Sequence, residues 1–148
     1  MGVSREAYLF LLNKHNNKPG ADLPEKVAKY HSKKVLINGH CFDSHAEGRR
    51  YTELFYCEHA GTIQDFIIQP KFLLQPKFRD NSGKTVRAIT YSADFQYTQA
   101  DGKIIVEDTK GFHTEPSKMR IKMFRSMYPH YVFRLLKYDY KNQEFVEF

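Results

Sequence analysis

Hydrophobic and polar positions along this chain fall into short extended runs separated by two stretches with helical spacing. Residues 34–42, KVLINGHCF, read as a strand with Asn38-Gly39 at its centre, a dipeptide that accepts two positive φ angles and folds a strand back on itself. Asp43-Ser44 opens a helix that runs to about His59, and Gly61 stops it. Residues 63–69 and 71–78 are apolar and extended, interrupted by Pro70 and Pro76, and residues 79–84 form a polar turn. Two further strands, 87–97 and 103–109, are joined by residues 99–102, whose Asp101-Gly102 pair favours a tight hairpin. Pro116 opens a basic helix that continues to Tyr128, Pro129 ends it, and residues 131–138 make a last strand.

Ahead of this pattern, residues 4–12 form a short helix with Ser4 as its N-cap, residues 16–20 break it, and residues 24–30 form a second helix with Pro24 in its first turn. The organisation expected is therefore a helical N-terminal appendage over residues 1–31 and a single α/β core over residues 32–148. The segment from the strand at 103–109 through the Pro116 helix to the strand at 131–138 is long enough for a right-handed parallel crossover, whereas hairpins dominate elsewhere. This order predicts an α/β sandwich around a mixed sheet. No internal repeat or low-complexity block interrupts it.

Composition sharpens the expectation of a partner more than of a fold. The 148 residues carry 23 Lys plus Arg against 17 Asp plus Glu, a formal charge of +6 that suits a polyanion such as nucleic acid. Neither end carries an apolar run long enough for a signal peptide or a membrane span, so a soluble cytoplasmic protein with no membrane partner is expected. Two cysteines, Cys41 and Cys57, do not make a disulfide framework in a chain of this size and are read as reduced. Together with His40, His45 and His59 they raise the option of a structural zinc site, but the spacing matches no paired ligand arrangement.

The chemistry concentrates in Tyr91-Ser92-Ala93-Asp94-Phe95 and Ile104-Ile105-Val106-Glu107-Asp108-Thr109-Lys110-Gly111. An aspartate among strand formers is disfavoured unless it ends the strand or meets a cation. In the second segment, period-two alternation sends Asp108 and Lys110 to one face and Glu107 and Thr109 to the other. Phosphodiester hydrolysis needs a divalent cation to neutralise phosphate charge and acidify water, and magnesium is satisfied by one or two carboxylates plus waters. Asp94 and Asp108 supply such carboxylates; Lys110 either positions the attacking water or stabilises developing negative charge. Read without Asp94, the Asp108-x-Lys110 element is better explained as an exposed salt-bridged strand face.

With these residues the chain resembles the PD-(D/E)xK nuclease superfamily, in which an acid precedes a strand bearing a (D/E)-x-K element, and it looks like an uncharacterised group of small phage-encoded members. The matches are Asp94, Asp108 and Lys110, and the resemblance extends from about Lys34 to the C-terminus. The proline that often precedes the first acid is Ala93 here. The resemblance implies a restriction-endonuclease-like αβββαβ core, Mg2+ or Mn2+ as cofactor, and the main-chain carbonyl of Thr109 as a further metal ligand. It also implies an acid from the first core helix. Glu47 matches that position, yet Ser44-x-x-Glu47 equally fits a capping box in which the glutamate serves the helix start.

Lys118, Lys122 and Arg125 recur at helical spacing and form either a phosphate-binding stripe or a solvated face; Arg49 and Arg50 carry the same ambiguity. Met119, Met123 and Met127, four residues apart, are expected to face the core, and Gln69 and Gln75 to make structural hydrogen bonds. The function expected is a metal-dependent endonuclease acting on DNA, with Glu47, Asp94, Asp108 and Lys110 catalytic. A homodimer is an option because one such site cuts one strand. A non-catalytic nucleic-acid-binding module and an RNA-directed nuclease are the alternatives.

Overall fold

The computed structural model describes residues 33–109 and 113–148. The helices expected over residues 4–12 and 24–30, and Lys110 itself, lie outside the described residues. β1 (Val35–Ile37) and β2 (His40–Phe42) form a hairpin whose loop residues Asn38 and Gly39 have φ of 50° and 79°, as the Asn-Gly pair requires. α1 (His45–His59) follows, and Gly48 allows β1 to lie close against it: a Cβ there would sit 2.9 Å from Ile37 Cδ1.

Beyond α1, β3 (Ile63–Ile68) and β4 (Lys71–Gln75) run out to a small hairpin of β5 (Phe78–Arg79) and β6 (Thr85–Val86), and β7 (Ile89–Ser92) and β8 (Phe95–Gln99) return. β3 pairs with β8 and β4 with β7, and the ladder is carried across the gap by Gln69 N–H to Asp94 O (2.8 Å) and Ala93 N–H to Pro70 O (3.1 Å). The four strands thus make one long ribbon bent at Gln69-Pro70 and Ala93-Asp94. Pro70 lacks the donor that a straight ladder needs, and Gln69 takes a φ of 51° at the corner. The single strand expected over residues 87–97 is divided at that bend.

β9 (Ile104–Thr109), α2 (Glu115–Met127), β10 (Val132–Asp139) and β11 (Glu144–Glu147) complete the described chain. The main sheet has five strands in the order β11-β10-β9-β8-β3, with β9 and β10 parallel and the other pairs antiparallel. The parallel pair is the crossover expected from the sequence. β11 was not expected: its polar Glu144-Phe145-Val146-Glu147 is too brief a pattern, and a turn in which Asp139 accepts from the backbone of Lys141 and Asn142 returns it against β10.

Two cores lie on opposite faces of this sheet. Tyr51 and Leu54 of α1 pack with Phe42, Ile63, Phe95, Tyr97 and Ile105 on one face. Ile121 and Phe124 of α2 pack with Phe72, Leu74, Tyr91, Ala93 and Val106 on the other. Ile105 and Val106, adjacent in sequence and both inaccessible to solvent, serve one core each, as expected of a central strand covered on both faces. Tyr91 and Ala93 share their parity with Phe95 and Tyr97 yet join the other core, because the bend folds the outer half of the ribbon over the α2 face. Among the described residues no helix is long and apolar enough to cross a membrane.

The core stripe of α2 differs from the methionine stripe expected. Ile121 and Phe124 are buried and Met123 is packed beside them, whereas Met119 and Met127 are exposed. Four-residue steps drift around a helix of 3.6 residues per turn, so only the middle methionine stays near the sheet.

Candidate active site

Asp94 occupies the bend of the long ribbon. Its N–H donates to Glu107 O (3.0 Å), its carbonyl accepts from Gln69, and its carboxylate Oδ2 accepts from Thr109 N–H at 2.6 Å. The β8–β9 pairing ends at Phe95 opposite Glu107; Asp94 lies just past it, with its N–H on the Glu107 carbonyl and its carboxylate on the main chain of Thr109, next to Asp108. The charges of both aspartates bear on the Tyr91 hydroxyl, and two carboxylates gathered at one buried group repel unless positive charge joins them. The structure therefore juxtaposes the two aspartates singled out from the sequence.

Asp108 is fully buried, and its Oδ2 accepts from the Tyr91 hydroxyl at 2.8 Å. Burial, followed by the charge of Asp108 and the hydrogen bond to it, raises the Tyr91 pKa well above the usual phenol range. Tyr91 is thus a fixed neutral donor that orients one oxygen of Asp108. The bend that brings Tyr91 back over β9 makes this contact, so a pattern read strand by strand does not reveal it.

Glu107 points to the other face, as alternation predicts, and there it meets Arg50. Its carboxylate accepts from Arg50 Nε and Nη2, both at 2.7 Å, and from the Tyr97 hydroxyl at 2.5 Å, while Arg50 Nη1 donates to Glu53 at 2.8 Å. Burial alone would lower the arginine pKa; the bonds to Glu107 and Glu53 outweigh it and hold Arg50 above its usual value. Arg50, expected at the nucleic-acid surface, is instead committed to a largely buried ion pair. Arg49 lies on the same side of the sheet, its guanidinium 5.1 Å from the Tyr138 ring centroid. Lys118, Lys122 and Arg125 are exposed on α2, across the sheet. The five basic residues do not form one continuous surface.

Glu47 completes the capping box. Its Oε2 accepts from Asp43 N–H at 3.1 Å, Ser44 Oγ lies 3.3 Å from Oε1, and Glu47 N–H donates back to Ser44 Oγ at 3.2 Å. Among the described residues no three His, Cys, Asp or Glu side chains form a group arranged to hold a metal ion. Neither the cysteine–histidine centre nor a three-acid centre with Glu47 is therefore formed there, and both cysteines are free thiols.

The donor set that remains fits a hard divalent cation. Asp94 and Asp108 offer two carboxylates, and the Thr109 main chain is tied directly to the Asp94 carboxylate. Magnesium needs few protein ligands because it retains waters. The carboxylate face also carries the cationic side of α2, since Asp108 pairs with Leu135 of β10, next to Phe133, and the Arg125 guanidinium lies 5.0 Å from the Phe133 ring centroid.

Fold and site together define a mixed α/β protein with two neighbouring aspartates at the bend of a β-ribbon. The chain belongs to the family described as "Protein of unknown function (DUF1064)", whose pattern matches residues 27–140. No curated protein and no solved structure matches it.

Proposed function

We propose that this protein is a Mg2+- or Mn2+-dependent endonuclease acting on DNA, built on a restriction-endonuclease-like core. The observation that carries the reading is the reach of the Asp94 carboxylate to the Thr109 main chain, next to Asp108, with Asp108 oriented by Tyr91. The succession α1, β3, β8, β9, α2, β10 supports it, because it follows the αβββαβ order of that core once the ribbon's outer half is set aside. The basic residues of α2 on the face shared with Asp108 suit a phosphate backbone.

Asp94 and Asp108, with the Thr109 carbonyl, would hold the cation. When bound, it neutralises phosphate charge and lowers the pKa of an attacking water. Tyr91 orients Asp108, and Thr109 N–H fixes the Asp94 carboxylate. Lys110 is the amine of the motif, placing water or stabilising the charge that develops on phosphate. Glu47 supports the site by securing the start of α1.

Supercoiled plasmid incubated with Mn2+ or Mg2+ is expected to be nicked or cut by the wild-type protein. Asp108→Ala, Lys110→Ala and chelator should each abolish the reaction; equal cleavage in all of them would reject the chemistry. A second reading, a non-catalytic DNA-binding module, is favoured by the hydrogen bonds that already occupy both aspartates. It predicts the same salt-sensitive DNA binding without cleavage or a saturable Mn2+ site.

A further inference from the structure

On the α2 face a cavity of about 370 Å3 opens at Leu135, the β10 partner of Asp108. Ile121, Phe133 and Leu135 supply its apolar lining, and the exposed side chains of Lys118, Lys122 and Arg125 supply three cations. His113 and Phe148 also line it; Phe148 is 60 % exposed and so has ring surface to offer. His113 Nδ1 lies 3.2 Å from Ser117 Oγ, and its Nε2 is buried without a hydrogen-bond partner among the described residues. The ion pair of Lys118 with Glu115 is exposed at both ends and is readily exchanged for another anion.

The position of the cavity is as informative as its lining. Leu135 pairs with Asp108, so the cavity begins one strand spacing, about 4.8 Å, from the candidate site and on the same face. The charge of Arg125 is felt at Tyr91, where it opposes the rise of the phenol pKa. Aromatic and aliphatic surface and three cations match the parts of one nucleotide: a base for the rings and a phosphate for the cations. A stacked, paired base does not expose its faces to such a lining.

We infer that this cavity receives a single unstacked nucleotide of a DNA strand, flanking the phosphate presented to Asp94 and Asp108. The inference rests on the nuclease reading for the position of the scissile phosphate, but the pocket itself binds without metal. It gives the enzyme a substrate class: strands with an unpaired or extruded nucleotide next to the cut, in preference to uninterrupted duplex.

Fluorescence anisotropy with the full chain in chelator, where cleavage is suppressed, tests this with three duplexes. One is fully paired, one carries a single unpaired adenine, and one carries an abasic residue at that site. The unpaired adenine should bind on the order of tenfold more tightly than the other two, the scale of one base–aromatic stack. Phe148→Ala should remove this preference and Phe148→Trp should keep it. Arg125→Ala should weaken binding to all three duplexes and lower the salt slope. Equal binding of adenine and abasic duplexes by wild type, or an unchanged preference in Phe148→Ala, would overturn the pocket. Base preference without Mn2+-dependent cleavage would sustain the pocket and sink the nuclease; cleavage without base preference would do the reverse.

Discussion

Replacing Arg50 with alanine isolates the interaction that ties α1 to the central strand. Glu107 is 0 % exposed, and two of the three hydrogen bonds to its carboxylate from described residues come from Arg50. Two ordinary hydrogen bonds are worth about 1 kcal/mol each. Here, however, the loss leaves a buried carboxylate with the Tyr97 hydroxyl in place of a guanidinium, and stranding one partner of a buried pair costs about 3–5 kcal/mol. The Arg50 side chain keeps 18 % exposure, so water reaches part of the pair and the lower end, about 3 kcal/mol, is expected. Urea unfolding followed by circular dichroism measures it. Arg50→Lys, which keeps the charge but not the fork, should lose about half as much. The double replacement Arg50→Met with Glu107→Leu should recover most of the loss, since apolar substitutes for a buried pair are often neutral or stabilising. A loss below about 1 kcal/mol in Arg50→Ala, or a double variant no better than the single, would refute the assignment of a buried, structure-bearing pair.

Other expectations follow from the same geometry. Tyr91→Phe removes the donor that orients Asp108 and should weaken Mn2+ affinity about 10–100-fold with the fold intact, measured by titration; unchanged affinity would show that Tyr91 does not position the carboxylate. Tyr91 and Tyr97 have pKa values raised above the ordinary 10.0 by burial and neighbouring carboxylates. Their stabilisation is complete below pH 10.0 and declines above it, because the unfolded phenols ionise there while the folded ones do not. Alkaline melts should therefore be shallower in pH for the Tyr91→Phe, Tyr97→Phe double variant than for wild type, and identical slopes would contradict the shifts.

The local pattern carried much of this architecture. Asn38-Gly39, Ser44-x-x-Glu47, Asp101-Gly102 and Pro116 act within a few residues, and each hairpin, cap and helix start they imply is present. The features that escaped the sequence depend on contacts across the fold. Arg50 was ambiguous because its partner Glu107 is 57 residues away, and only the packing of α1 on β9 joins them. A glutamate inside Ile104-Ile105-Val106-Glu107 is itself a signal of a buried charge requiring a cation, and it is the cue that the reading of Arg50 left unused. Tyr91 could not be paired with Asp108 without the ribbon bend. The two aspartates were legible as neighbours because the Asp101-Gly102 hairpin brings the ends of their strands together, whereas Glu47 satisfied two motifs at once and its bonds to Asp43 and Ser44 cap the helix.

The central claim is that Asp94 and Asp108 jointly hold one divalent ion. Electron paramagnetic resonance of Mn2+ titrated into the protein measures that directly, because bound ion loses the signal of the free hexahydrate. Wild type should remove Mn2+ at a saturable site that Asp94→Asn and Asp108→Asn each weaken severely while urea unfolding shows the variants folded. Saturation by all three proteins with the same affinity, or by none, would contradict the account.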